Sequence, residues 1–140
     1  MNNDYNLERF TEAQETDYAI ALSEIQRGKK RSHWMWYIFP QLLGLGYTSV
    51  SIEYAIKNLE EAKYYLQHEI LGKRLIEISN ALLKLETNDA HAIFGSPDDL
   101  KLRSSMTLFS LVPEADLVFQ LVLDKFYNGK KDEKTLQLLQ

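Results

Sequence analysis

The 140-residue chain is 45% hydrophobic and 26% charged, which predicts one folded domain, residues 1–140, and excludes a fibrous or disordered protein. It has no cysteine, which excludes disulfides, thiolate metal sites and cysteine nucleophiles. The net charge of −4 argues against nucleic acid as a partner, because the overall field of the protein repels an anion. Any anion-binding site would therefore need a local cluster of cations.

The N-terminal third of the chain predicts two short amphipathic helices followed by an aromatic one. Asn6 is placed to cap the first helix and Thr16 the second, which Gly28 ends. Ser32 is placed as N-cap of the aromatic helix, which Pro40 ends. The glycine-containing stretch QLLGLGYTSVS that follows predicts a loop. The opening MNNDYNLERF has no apolar core of a signal peptide, and no apolar run is long enough to span a bilayer, so we predict a cytoplasmic protein without membrane contact.

Helix signals continue along the middle of the chain. Asn58 and Glu61 form a pair like a capping box in front of LEEAKYYLQ. Residues 69–86 carry one apolar stripe, which is typical of a helix lying on a core. A short helical turn from Asp89 to Phe94 is predicted to end at Gly95.

The last third of the chain predicts three more helices. SPDD opens the first of them, with Ser96 as the cap, Pro97 at the first helical position and acids in the first turn. EADLVFQLVLDKFY is apolar almost all round and predicts a central buried helix, and DEKTLQLLQ predicts a short amphipathic one. No segment alternates as a strand does. The predicted fold is therefore all-α, a compact array of about seven to nine short and medium helices.

The segment GKKRSHWMWYIFPQ places the densest positive charge of the chain beside its densest aromatic surface. Cations, the backbone N–H groups of a helix start and an indole face are the groups that bind an anionic, ring-bearing ligand. His33 would donate to phosphate or move a proton there. The alternative interpretation is structural. A basic helix end is usually solvated, His33 would be a structural histidine, and the large apolar side chains would be core anchors, namely Trp34, Met35, Ile38 and Phe39.

The second segment, SPDDLKLRSSMTLF, raises a question about Lys101. On a helical wheel Lys101 falls within the apolar arc, with Ser104 and Ser105 nearby, whereas Arg103 faces solvent. Such a lysine either extends its ammonium group to water or needs a partner. The partner would be Asp124 or a bound phosphate or carboxylate group. The acids at the start of this helix argue against an anion at its N-terminus.

Other chemistries lack their patterns. The histidines, His33, His68 and His91, have no metal-ligand spacing, and there is no phosphate-binding loop, dinucleotide fingerprint or serine nucleophile elbow. We therefore predict no metal site and no cofactor.

Four segments carry a resemblance to a known family: LERFTEAQ, GKKRSHWMWYIFPQLLGLG, YAIKNLEEAKYYLQHEILGKRL and IFGSPDDLKLRSSMTLF. Over essentially its whole length the chain resembles the bacterial family called domain of unknown function 1810. The resemblance implies a compact, mainly α-helical domain with no established activity. It also implies two signature motifs, which fall on Arg31, Ser32, His33, Trp34 and Trp36 and on Asp98, Asp99, Lys101, Arg103, Ser104 and Ser105. Members are sometimes labelled calpastatin, but a hydrophobic, periodic sequence does not fit an inhibitor that acts as a disordered chain.

These observations predict that the two signature segments meet in space and form a basic, aromatic pocket. The function that this pocket favours is recognition, with turnover left open, of a small anionic, phosphorylated or nucleotide-like ligand. His33 is the candidate catalytic residue, and the candidate ligand-binding residues are Lys30, Arg31, Ser32, His33, Trp34, Trp36, Lys101, Arg103, Ser104 and Ser105. One alternative is a protein-interaction module with exposed tryptophan and arginine hot spots, and another is that the motifs are purely structural. The sequence leaves the oligomeric state open.

Overall fold

The computed structural model describes residues 5–140, which form nine α-helices and no β-strand, so the predicted all-α class is confirmed. The one extended pairing in this range is an isolated parallel bridge between Leu42 and Ile56. The helices are α1 (Glu8–Gln26), α2 (Met35–Ile38), α3 (Ser49–Glu53), α4 (Leu59–Gln67), α5 (Leu71–Leu83), α6 (Ala90–Phe94), α7 (Asp98–Ser110), α8 (Val118–Tyr127) and α9 (Glu133–Leu138). None of these helices is both long and apolar enough to cross a bilayer.

Helix α1 replaces the two short helices predicted for this region. It runs for 19 residues without a break, and Thr16, the predicted second cap, is an exposed residue in its middle. The N-cap is Leu7, not Asn6, and its side chain makes no capping bond. The helix is continuous because one buried stripe follows it at helical spacing: Phe10, Gln14, Tyr18, Ala21 and Ile25. Gly28 ends it with a φ of +79°, as predicted.

The predicted helix caps divide into correct and incorrect ones. Asn58 Oδ1 accepts a hydrogen bond from Glu61 N at 2.9 Å, as predicted. Asp89, predicted as the first residue of a helical turn, is the cap of α6. Ser32 and Ser96 were expected to cap and do not. Helix α2 begins after Trp34, and α7 begins after Pro97, neither of which makes a side-chain capping bond.

The central helix is α7, whereas the sequence predicted that α8 would be central. Helix α7 packs against α4, α6, α8 and α9, and its residues 104–109 are all buried. Helix α8 instead exposes Leu121, and its N-cap Leu117 is exposed as well. Polar residues of α7 tolerate burial because their hydroxyls bond within the helix. Ser104 donates to the Leu100 carbonyl at 3.2 Å, and Thr107 donates to the Arg103 carbonyl at 2.8 Å.

The hydrophobic core is one contiguous cluster with side chains from most of the helices. Helix α1 packs on α2 and α5, and α5 packs on α4 and α8, so the core lies between α1, α5 and α7. Its largest fully buried side chains are Trp34, Tyr65, Phe10, Phe39, Phe109 and Phe119. Trp34 therefore places the segment between α1 and α2 against the core, which fixes one side of the candidate site.

Candidate functional site

The segment that joins α1 to α2 is wrapped around the carboxylate of Glu24. This side chain lies in the last turns of α1 and is only 8% exposed. Its oxygens accept four hydrogen bonds, from Arg31 N at 2.8 Å, Ser32 N at 3.0 Å, Ser32 Oγ at 2.6 Å and Trp34 Nε1 at 2.9 Å. One buried carboxylate thus sets the path of the whole first signature motif.

The environment of Glu24 keeps it charged. Burial by itself raises the pKa of this carboxyl, but the hydrogen bonds from Ser32, the Arg31 backbone and Trp34 outweigh burial and lower the pKa to about 2. The Ser32 hydroxyl and N–H are directed at this carboxylate, so they satisfy a protein group. Sequence reasoning missed Glu24, although its position beside Ala21 and Ile25 on the buried stripe of α1 is a signal for a buried, hydrogen-bonded acid.

The two signature segments meet at Asp98. Its Oδ2 lies 2.9 Å from Lys30 Nζ, and its Oδ1 lies 3.6 Å from Lys101 Nζ. The Lys101 ammonium group also lies 5.5 Å from the centroid of the Trp36 ring, which comes from the first segment. The partner of Lys101 is therefore Asp98, while Asp124 accepts a hydrogen bond from Gln120 at 3.0 Å.

Lys30 is an internal cation. Its side chain is 8% exposed, its ammonium group donates to the Ser32 carbonyl at 2.6 Å, and it lies 5.0 Å from the Trp34 ring centroid. Its backbone N–H donates to the Ile93 carbonyl at 2.8 Å, which ties the segment to α6. Lys30 consequently connects the two segments from the inside.

Several other predicted ligand-binding residues are also buried. Trp34 is 1% exposed, and the predicted core anchors Trp34, Met35, Ile38 and Phe39 are all confirmed as buried. Ser104 is buried and bonded within α7, and Ser105 is fully buried, with no hydrogen-bond partner for its hydroxyl in the described part of the chain. These side chains face the interior of the protein.

A smaller group of predicted residues remains at the surface. Arg31 and His33 are exposed, and Trp36 is partly exposed. The side chains of Lys101 and Asp98 are 25% and 19% exposed. We call this set the Arg31–Lys101 surface: Arg31, His33, Trp36, Asp98 and Lys101. Within it Lys101 contacts Asp98 and Trp36, and Arg31 and His33 belong to the same chain segment as Lys30, which pairs with Asp98.

Trp36 is the member of the Arg31–Lys101 surface that also lines a small hollow. The hollow beside Trp36, which lies against α3, has a volume of about 10 Å³. That volume holds about one water molecule. The ring of His33 makes no hydrogen bond within residues 5–140 that would fix its tautomer. The surface therefore offers exposed charge and one aromatic face.

Arg103, which was expected in the same pocket as Lys101, lies elsewhere. Residues two apart on a helix point about 200° apart. The Arg103 guanidinium lies 5.8 Å from the Tyr127 ring centroid on α8 and 3.8 Å from an Asp132 oxygen just before α9. The structure thus brings Lys30, Trp36 and Lys101 together and places Arg103 at a different site.

Comparison with known proteins agrees with this fold and these motifs. The chain is similar to the conserved hypothetical protein Rv1873 from Mycobacterium tuberculosis, with 44% identity, coverage of 98% of each chain and a TM-score of 0.95 to its crystal structure. No curated protein matches the chain. The model of the family described as Protein of unknown function (DUF1810) matches residues 4–139. The chain therefore belongs to the DUF1810 family, as the resemblance of its two signature motifs indicated.

Proposed function

We propose that the protein binds a small anionic ligand, through a phosphate or carboxylate group, at the Arg31–Lys101 surface. The observation that carries the proposal is that Asp98 lies at different distances from two lysines. This carboxylate is 2.9 Å from the buried Lys30, a hydrogen-bonding distance, but 3.6 Å from the more exposed Lys101. Because one carboxylate is shared by two lysines, the group of Lys30, Lys101 and Asp98 keeps a net charge of +1, and Lys101 is its more exposed cation.

The local charge supports the same interpretation. Arg31 is exposed and forms no ion pair with any residue from 5 to 140, and Lys29, two residues earlier, is also exposed. Glu24, the nearest acid in sequence, is already occupied by four donors. A chain with a net charge of −4 thus carries a locally positive surface here, which is the condition for attracting an anion.

Each residue of the proposed site has a distinct role. The Arg31 guanidinium would hold the oxyanion through two parallel hydrogen bonds, which suits phosphate and carboxylate equally. Lys101 would add charge, and Trp36, whose ring it faces, would offer a flat surface to a sugar or base. Lys30, Ser32, Trp34, Ser104 and Ser105 would act from the interior by holding the two segments together. We assign no bond-breaking step, because no group among residues 5–140 orients the imidazole of His33.

A protein-interaction module is the second candidate, and the small volume of the hollow beside Trp36 favours it. Small-molecule sites usually have volumes of about 300–1,000 Å³. The hollow beside Trp36 measures about 10 Å³. A partly exposed tryptophan next to an exposed arginine is the combination that forms hot spots on flat interfaces.

Ligand titrations of a matched pair of variants test the proposal. Thermal-shift and calorimetric titrations would use ADP-ribose, ribose 5-phosphate and succinate. Arg31→Gln removes the proposed anion contact, and Arg27→Gln removes one exposed cation outside the surface. We expect wild type and Arg27→Gln to bind alike and Arg31→Gln to lose about tenfold in affinity, the value of one charged hydrogen-bonded contact.

Two results would decide against a small ligand. One is the absence of any saturable binding by wild type, and the other is an equal loss of affinity in both variants. In either case, binding of a partner protein that Trp36→Ala abolishes and Arg27→Gln preserves would establish the interaction module instead.

A further inference from the structure

A second basic concavity lies on the side of the central helix where Arg103 projects. It is lined by Arg103 of α7, by Lys130 and Lys131 of the turn that leads into α9, and by Lys134 of α9, and its volume is about 640 Å³. Two acids, Asp132 and Glu133, also line it. Four cations thus face two carboxylates in a chain whose overall charge is negative.

Asp132 does not neutralise Arg103 by a close contact. Its Oδ2 accepts hydrogen bonds from Thr135 N at 2.9 Å and from Thr135 Oγ1 at 2.7 Å, which makes it the cap of α9. The distance from its Oδ1 to Arg103 Nη2 is 3.8 Å, longer than a hydrogen bond. One oxygen of this carboxylate is therefore committed to the start of α9, and the other forms only a long ion pair with Arg103.

The guanidinium of Arg103 is left with unused donors. Its side chain is 30% exposed and donates no hydrogen bond within the described residues, and its Nε atom is buried without a partner. It lies against the ring of Tyr127, whose hydroxyl donates to the Asp99 carbonyl. Buried polar groups in proteins nearly always have partners, so this guanidinium has unused hydrogen-bonding capacity, and its exposed part is free to donate to an oxygen acceptor in the concavity.

The lysines of this concavity add positive charge, and no acid in the described part of the chain forms an ion pair with them. Lys131 Nζ donates to the neutral Gln120 Oε1 at 2.7 Å. Lys130 and Lys134 are exposed and form no ion pair with residues 5–140. The excess of two positive charges matches a phosphate monoester, which carries about −1.5 to −2 at pH 7.

We propose that this concavity, formed by Arg103, Lys130, Lys131 and Lys134, is a separate binding site for the phosphate group of a small phosphate monoester. The exposed edge of the Arg103 guanidinium holds the oxyanion, and the lysines surround it. The site is independent of the Arg31–Lys101 surface because its residues and its concavity are different.

A nuclear magnetic resonance titration of the full chain tests the proposal, with inorganic phosphate and ribose 5-phosphate as probes. Saturable shifts are expected for the backbone amides of residue 103 and residues 129–135, whether or not residues 30–36 also shift. The double variant Lys130→Gln/Lys134→Gln should bind both probes about tenfold more weakly. The charge-matched control Lys73→Gln/Lys84→Gln, in two exposed lysines of the α5 region, should bind as wild type does.

Two further variants complete the test. Arg103→Gln should abolish measurable phosphate binding, and if that variant fails to fold, the exposed lysine pair still decides the question. Arg31→Gln should leave phosphate affinity at this site unchanged, which separates the site from the Arg31–Lys101 surface.

Several outcomes would overturn the assignment. If the control variant lost as much phosphate affinity as Lys130→Gln/Lys134→Gln, binding would depend only on the overall charge of the protein. If the shifts were confined to residues 30–36, phosphate would bind at the Arg31–Lys101 surface instead. If a single-stranded oligonucleotide bound more tightly than ribose 5-phosphate, and its affinity fell steeply with salt, the ligand of this site would be nucleic acid and not a small phosphate monoester.

Discussion

Replacing Glu24 by glutamine tests whether one buried carboxylate holds the first signature motif. Glutamine has the same shape but places an amide NH₂ group among four donors that now point at carboxylate oxygens. A carboxyl pKa lowered from 4.5 to about 2 corresponds to about 3 kcal/mol of stabilisation of the charged form. The expected loss of unfolding free energy at pH 7 is therefore about 3 kcal/mol, or about 10 °C in Tm for a chain of this length.

The same loss should depend on pH. Because the folded-state pKa of Glu24 is lower than its ordinary value, its contribution to stability is complete above about pH 4.5 and disappears as the pH falls toward 2. The stability difference between wild type and Glu24→Gln should shrink from about 3 kcal/mol at pH 7 to about 1.5 kcal/mol at pH 3.

Urea unfolding at both pH values, followed by circular dichroism and by tryptophan fluorescence, measures this difference. Tryptophan fluorescence reports on Trp34, whose Nε1 donates to Glu24. The control is Glu15→Gln, on the exposed side of α1, which should change stability by less than about 0.5 kcal/mol. A loss below about 1 kcal/mol at pH 7, or one that does not change between pH 7 and pH 3, would refute the reasoning.

Three further predictions concern the rest of the fold. Gly72→Ala should lower the free energy of unfolding in urea by at least about 3 kcal/mol, because the added Cβ would lie 2.1 Å from the Leu66 carbonyl oxygen. Gly28→Ala should lower it by only about 1 kcal/mol, because Gly28 has a φ of +79° but no atom near the added Cβ. Arg9→Met should cost about 3–5 kcal/mol by leaving the fully buried Glu61 without its partner at 2.9 Å, and adding Glu61→Leu should recover part of this loss. Because burial raises the pKa of several tyrosines, an alkaline absorbance titration should show fewer than eight phenolates before unfolding, the protected ones being Tyr18, Tyr37, Tyr65 and Tyr127.

Features that depend on neighbours in sequence were predictable. The caps at Asn58 and Asp89 and the helix end at Gly28 involve groups within a few residues of one another, so their chemistry can be read locally. The same local signals were wrong at Ser32. Its hydroxyl had a stronger acceptor in Glu24, eight residues earlier, than in the backbone of a following helix.

The sequence by itself determined the all-α class, most of the helices and the identity of the two signature motifs, because helical periodicity and composition are written along the chain. Only the tertiary structure decided that α7 is central, that the Lys30 side chain is buried, and that Lys101 and Arg103 lie on different surfaces. The physical reason is that burial and charge pairing depend on helices from distant parts of the chain. A polar helix such as α7 can be buried because its hydroxyl groups donate hydrogen bonds to carbonyls of the same helix.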